Sequence, residues 1–379
     1  MLTDLSICCI IKNEAKQLPR FLKALQKQGL LPQLLVVDTG STDKSPDILK
    51  EYGVSPGHFD WTEDFSAARN YAASLANTNW ILALDADEFL EEADLKAIGK
   101  LLAECGYVNG PEPLLPPLGR VHRINETPKG LRNEWITRLY HRDYFRYEGR
   151  IHEQLAVKEG VRGRITRAEL PLTILHTGYR EGVIREKALR DKALLLREIK
   201  ELTESNAIEL DKLSYQYYQL ARAHRLLEEQ AEAVSAYENA FALLTDDALQ
   251  QFDTPLTSWQ RDMIDDYGYL LLELGEPAEA LFLERYYDKA SERADYLLVL
   301  GLIYMQNGRL QDALMAFELA SCTPFFAAEG ANSYLPLYNM GVVYECSGDL
   351  PRARQAYKRC GDYDKAKERL CALSSSGKA

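Results

Sequence analysis

The run Trp80-Ile81-Leu82-Ala83-Leu84-Asp85-Ala86-Asp87-Glu88 constrains the fold more than any other stretch of the chain. Five consecutive apolar residues read as a strand buried on both faces, and the acidic triplet marks where that strand must emerge. An ionised carboxylate in an apolar interior is costly without a partner. Asp85, Asp87 and Glu88 therefore belong at the strand's carboxyl end, in a crevice or on a metal. An Asp-x-Asp pair sets two oxygen ligands close together, which suits a hard divalent cation that also holds a diphosphate. Taken alone, the same residues also read as a solvated turn.

Two earlier segments repeat the pattern. Leu5 to Ile11 is a short apolar run that stops at Lys12-Asn13-Glu14, and helical spacing follows at Leu18, Phe21, Leu22 and Leu25. Leu34 to Val37 stops on Asp38-Thr39-Gly40-Ser41-Thr42-Asp43, ahead of a helix marked by Ile48, Leu49 and Tyr52. Asp43 and Ser45 read as capping residues for that helix, which should start near Pro46. Strand, helix, strand, helix, strand is the grammar of a doubly wound sheet, whose ligands bind outside the carboxyl ends of the strands. Trp61 and Phe65 read as packing residues, and Arg69 could pair with Asp64.

Four segments then occur in a fixed order: Ile11-Lys12-Asn13-Glu14, Val37 to Asp43, Asp64-Phe65-Ser66-Ala67-Ala68-Arg69-Asn70, and Asp85-Ala86-Asp87-Glu88. Together they resemble the family 2 glycosyltransferases, and the likeness covers residues 5 to 180. The resemblance implies an α/β domain of the GT-A, nucleotide-diphospho-sugar transferase fold. It implies a donor site drawn from Asn13, Glu14, Asp38, Arg69, Asp85, Ala86 and Asp87. Asp38 would contact the base or ribose of a UDP-sugar, Asp85 and Asp87 would form the metal and diphosphate motif, and Arg69 would lie near the phosphates.

Periodicity weakens after a helix expected at Ala93 to Leu102. Gly110 to Pro117 is too rich in proline for a regular element and reads as a mobile loop. Strand-like segments follow at Gly119 to Asn125, Trp135 to His141 and Tyr144 to Gly149. Gly149-Arg150-Ile151-His152-Glu153-Gln154-Leu155 resembles the second catalytic segment of the GT-A fold. The resemblance implies that Glu153 is the general base of an inverting transfer, with a partly buried carboxyl and a raised pKa. His152 would orient that carboxylate or shape the donor pocket. His176, which ends the strand Ile174-Leu175-His176, resembles a late metal ligand. The implied metal is Mn²⁺ or Mg²⁺, with imidazole favouring Mn²⁺. The plain readings stay open: His152 and His176 as structural histidines, Glu153 as an ion-paired carboxylate. His58, His122, His141 and His224 have no comparable context and read as structural.

The chain changes character beyond residue 200. Four segments superpose when aligned on a small residue at their eighth position, with starts at Ser214, Arg261, Ala294 and Tyr334. The small residues are Ala221, Gly268, Gly301 and Gly341. Tyr237, Phe317 and Tyr357 share a later position, which Glu284 fills in the second segment. Gly275, Gly308 and Gly348 share one register at the turn between paired helices. This is the tetratricopeptide pattern, which implies an all-α solenoid with a concave face.

At 379 residues and 46% hydrophobic, the chain can bury two cores, here a GT-A domain over 1–200 and a tetratricopeptide domain over 201–379. The net charge of −12 argues against nucleic acid or an anionic membrane surface as partner. The local exception is Arg132, Arg138, Arg142, Arg146 and Arg150, which either help hold an anionic donor or solvate a strand face. No stretch approaches the roughly 20 apolar residues of a membrane helix, and the first strand is too short for a signal peptide. The seven cysteines show no zinc spacing, so a reduced, cytoplasmic setting is expected.

The arrangement as a whole resembles bacterial sublancin-type peptide S-glycosyltransferases and related enzymes. It implies a metal-dependent inverting transfer from a nucleotide-sugar to a peptide or protein acceptor, with a repeat domain that aids homodimerisation or acceptor docking. Relatives with similar motifs act on cell-surface glycans or lipid-linked sugars, so a glycan acceptor stays open. A scaffold with an inactive first domain is the reading from another class.

Overall fold

The computed structural model describes residues 4–110, 112–127, 130–177, 184–205, 209–244 and 256–375. The chain forms two compact units, Met1–Glu198 and Ile199–Ala379.

In the first unit, β1 (Leu5–Ile11), β2 (Leu34–Asp38), β3 (Gly57–His58) and β4 (Trp80–Ala83) are parallel neighbours in the order β3-β2-β1-β4. The connecting helices are α1 (Leu18–Lys27), α2 (Ser45–Glu51) and α3 (Phe65–Ser74). The alternation along β1 explains its burial on both faces. Leu5, Ile7, Cys9 and Ile11 enter one apolar cluster, with Phe21, Leu22 and Leu25 of α1. Cys8 enters the other, with Ala72 and Ala73 of α3. Burial of each large side chain in such a layer contributes about 1.5–3 kcal/mol.

Beyond β4 the sheet becomes mixed, starting with the antiparallel pairing of β4 with β7 (Gly130–His141). The chain turns at Asp85, where Glu88 N–H donates to Asp85 C=O at 3.0 Å, and runs out as β5 (Glu88–Ala93). That strand lies outside the sequence expectation, and the expected helix follows it as α4 (Leu95–Glu104). β6 (Leu118–Thr127), β7 (Gly130–His141) and β10 (Arg167–His176) complete an eight-stranded mixed sheet in the order β3-β2-β1-β4-β7-β6-β10-β5. β8 (Phe145–Glu148) and β9 (Gln154–Val157) form a separate hairpin, and α5 (Ile184–Thr203) follows β10. The proline-rich segment is not a loose loop among its described residues. Leu115 is fully buried, and Leu114 bridges to both Val108 and Arg164.

The second unit is helical. Helices Leu210–Leu226 and Gln230–Leu243, Ala294–Gln306 and Leu310–Cys322, and Tyr334–Cys346 and Leu350–Arg359 are the paired elements of three repeats. The small eighth residue has a steric cause. A Cβ on Gly301 would lie 2.4 Å from the Phe317 ring, and one on Gly341 would lie 2.4 Å from the Tyr357 ring. The turn register holds too: Gly275, Gly308 and Gly348 have φ of 76°, 74° and 77°, and Glu228 takes the same place in the first repeat at 62°.

The second repeat breaks after Ser258–Glu273. Its second helix is a short turn, Pro277–Ala280, followed by a 3-10 stretch, Leu281–Tyr286, and another short turn, Tyr287–Ala290. Glu284 cannot fill the aromatic position there. It faces out to Tyr304 Oη at 2.9 Å and Arg309 Nη1 at 3.0 Å, while Leu283 and Tyr286 are buried instead. Among the described residues no helix is long and apolar enough to cross a membrane. All seven cysteines are free thiols, and burial pushes the Cys8 thiol up to about 12.

Candidate active site

Two loops at the carboxyl ends of β1 and β2 are tied together. Asn13, at a φ of 59°, accepts from Thr42 N–H at 2.7 Å through Oδ1, and its own N–H donates to Ser41 Oγ at 2.9 Å. Asp38 accepts from the N–H groups of Gly40 and Ser41 at 3.0 and 2.8 Å. Asp43 accepts from Ala15 N–H at 3.0 Å and from Ser45 N–H at 2.9 Å. The Ser45 hydroxyl does not cap α2; it accepts from Glu14 N–H at 2.8 Å. Asn13 and Asp38 thus order the loops in which they sit.

The Asp85 carboxylate is taken by two guanidinium groups, Arg69 Nη2 at 2.7 Å and Arg138 Nη2 at 2.8 Å. Burial alone would raise its pKa, but these cations outweigh burial and hold it well below the usual carboxylate range. Arg69 does not pair with Asp64, which caps α3 by accepting from Ala67 N–H at 2.9 Å. Its Nε instead donates to Glu153 in a short contact. Arg138 also reaches Glu88 Oε1 at 2.5 Å, Arg123 Nη1 reaches the same oxygen at 3.0 Å, and Arg123 Nη2 reaches Glu134 at 2.8 Å. Glu153, Arg69, Asp85, Arg138, Glu88, Arg123 and Glu134 therefore form one ladder of alternating sign. Each cation offsets the desolvation of the carboxylates beside it.

Asp87 faces away from that ladder toward other partners. Its Oδ2 faces His176 Nε2 at 3.5 Å and Lys187 Nζ at 3.7 Å. Of the three residues expected to ligate a metal, the structure thus brings Asp87 and His176 together and places Asp85 between arginines. Two ligands at a right angle on one ion, with bonds of about 2.1 Å, lie roughly 3 Å apart. A carboxylate oxygen and an imidazole nitrogen at this separation fit a divalent cation whose remaining ligands are phosphate oxygens and water. Among the described residues no group of three or more His, Cys, Asp or Glu has metal-holding geometry.

Glu14 stands beside these carboxylates. Burial, then the charges of Asp87 and Asp85, push its carboxyl up to about 7. A folded-state pKa above the ordinary 4.5 means that the unfolded chain ionises first as pH rises. Stability is then fully present below pH 4.5 and is lost progressively through pH 7. After allowance for solvent screening, the loss is about 1–2 kcal/mol. Glu14→Gln is expected to raise the urea midpoint at pH 8 and to leave it unchanged near pH 4.5. An equal effect at both pH values would contradict this.

His152 has a φ of 51°, a left-handed conformation unusual for a residue with a Cβ. Ala86 is buried in the apolar cluster behind the acidic turn. The five arginines read as a basic cluster do not act as one patch. Arg138 is in the ladder, Arg142 donates to the carbonyls of Ala73 and Ala76, and Arg146 pairs with Glu148. The sequence reading missed Arg123, Asn125, Glu134 and Lys187. The period-2 placement of Arg123 and Asn125 opposite Glu134 and Arg132 was the available signal for the first three. Lys187 had none.

A mixed sheet with carboxylates and guanidinium groups gathered at the ends of its parallel strands defines a ligand-binding α/β domain. Residues 6–145 match the model described as Glycosyl transferase family 2, so the first unit carries a domain of that family. A TPR repeat-containing protein of Synechococcus elongatus is 47% identical over 89 residues, 24% of this chain and 22% of that protein. The SPbeta prophage-derived glycosyltransferase SunS of Bacillus subtilis is 31% identical over 94 residues, 24% of this chain and 22% of that protein. The succinoglycan biosynthesis protein ExoU of Rhizobium meliloti is 29% identical over 110 residues, 28% of this chain and 31% of that protein. Each match spans less than a third of the relative's own length.

Proposed function

We propose that the chain is a metal-dependent, inverting glycosyltransferase that moves a sugar from a nucleotide-sugar, specifically a UDP-sugar, to a peptide or protein acceptor. The observation that carries this reading is the convergence of Glu153 with Asp85, through Arg69, in a unit where Asp87 faces His176. Glu153 would take the proton of the acceptor as that acceptor attacks the anomeric carbon from the face opposite the diphosphate. Arg69 would hold Glu153 in place and leave the carboxylate its second oxygen. Asp87 and His176 would hold Mn²⁺ or Mg²⁺, whose chemistry is to neutralise charge on the departing diphosphate. Lys187 would add a second positive group on that side. The name of the SunS relative supports glycosyl transfer, and the helical second unit, Ile199–Ala379, is a repeat region suited to docking a peptide or a second subunit.

A glycan acceptor is the second reading, favoured by the name of the relative ExoU, a succinoglycan biosynthesis protein. One experiment addresses the reaction and its metal. The protein is incubated with Mn²⁺ and a panel of nucleotide-sugars, and nucleotide release is measured with and without excess chelator. Release is expected with a UDP-sugar, to stop on chelation, and to be absent in Asp87→Ala with the fold intact by circular dichroism. Full activity in chelator would overturn the metal reading.

A further inference from the structure

The orientation of His176 is fixed by residues that the proposed reaction does not use. In the parallel pairing of β10 with β6, His176 lies beside Asn125, and in the antiparallel pairing of β6 with β7, Arg123 lies beside Glu134. Arg123 grips one oxygen of Glu134 through Nε at 3.0 Å and Nη2 at 2.8 Å. That same oxygen accepts a short hydrogen bond from Asn125 Nδ2. Asn125 is almost fully buried, with 2% exposure.

These contacts leave Asn125 only one way to face. The reverse orientation of its amide would set its oxygen against a carboxylate oxygen, two acceptors with no proton between them. With Nδ2 committed to Glu134, Oδ1 faces His176 Nδ1 at 2.8 Å. An amide oxygen accepts only, so the proton on the neutral ring must reside on Nδ1. The opposite ring atom, Nε2, faces Asp87 Oδ2 at 3.5 Å, too long for a good hydrogen bond; on the neutral ring it carries the lone pair that a shared cation would join to the carboxylate.

We propose that Asn125 is a positioning residue that locks His176 in its Nδ1–H tautomer, with Glu134 and Arg123 locking Asn125, so that Nε2 is presented with Asp87 as a ligand pair for a divalent cation. This rests on the metal-dependent reading above and adds residues to it. The sequence signal is distributed over three strands, and no short motif contains it. Outer partners of this kind fix ring orientation and tautomer, and their loss typically weakens metal affinity about 10–100-fold.

The test uses the full chain and two readouts that need no turnover. Imidazole ¹⁵N correlation spectra of the metal-free protein give the tautomer of His176, and the Mn²⁺ electron paramagnetic resonance signal gives free against bound ion. The wild-type protein is expected to show an Nδ1–H ring. Asn125→Leu is expected to lose that preference and to bind Mn²⁺ about 10–100-fold more weakly. Glu134→Leu should weaken binding in the same direction, while Glu134→Gln, which retains an acceptor for Asn125, should stay closer to wild type. The Glu134 pair answers the question if Asn125→Leu does not fold. A wild-type ring protonated on Nε2 and not on Nδ1, no Mn²⁺ binding by wild type, or unchanged Mn²⁺ affinity in both leucine variants would overturn the proposal. Absence of nucleotide-sugar turnover by a wild-type sample that shows the expected tautomer and binds Mn²⁺ would sink the glycosyl-transfer reading and leave this one standing.

Discussion

Glu153→Gln is expected to lower kcat for transfer to an alcohol or amine acceptor by about 10²–10⁴-fold, the usual contribution of a positioned general base. The amide keeps the shape of the carboxylate and can still accept from Arg69, so donor binding should survive. A thiol acceptor would show a smaller loss, because a thiolate needs less help to attack. Steady-state rates with the two acceptor types, together with nucleotide affinity by calorimetry, check both parts. Transfer to an alcohol or amine near the wild-type rate would remove Glu153 from the role of base and leave it a structural partner of Arg69.

The second large effect concerns folding. Arg138→Leu removes the cation shared by Asp85 and Glu88, and Glu88 is fully buried. Glu88 keeps Arg123 and Asp85 keeps Arg69, so the cost approaches but does not exceed that of a buried pair broken outright, about 3–5 kcal/mol. The ladder holds four carboxylates against three guanidinium groups, so loss of one cation doubles its excess negative charge. The urea midpoint of Arg138→Leu should fall accordingly. Adding Glu88→Gln to that variant should restore part of the loss, since one carboxylate of the excess is removed. A midpoint within error of wild type would show that the ladder is solvated and carries little energy.

The sequence made the parallel half of the sheet legible because each strand there is a continuous apolar run ending on polar residues. β1, β2 and β4 fall where that pattern places them. The other half was harder to read. β5 carries Glu91 and Glu92 at a sheet edge, where exposed carboxylates are tolerated and the apolar run is broken. β6 and β7 alternate charged with apolar residues, and their charges face one another across the hairpin, which only the register reveals. The acidic triplet was found, but its division of labour was not. Residues two apart on the turn, Asp85 and Asp87, meet different neighbours because the chain reverses between them. In the second unit the turn glycines and small helix residues were readable as sterics. The broken helix of the second repeat was marked in advance by Glu284, an acidic residue in a place that elsewhere holds an aromatic ring.

The cross-ties between the loops after β1 and β2 carry a consequence for encounter with a ligand. Asn13, Asp38, Ser41 and Asp43 already satisfy one another's backbone groups. The conformational entropy of shaping that rim is therefore spent when the chain folds and is not charged again on association. A molecule arriving there meets a preset surface, and selection among candidates falls to fit and charge at first contact rather than to a later rearrangement.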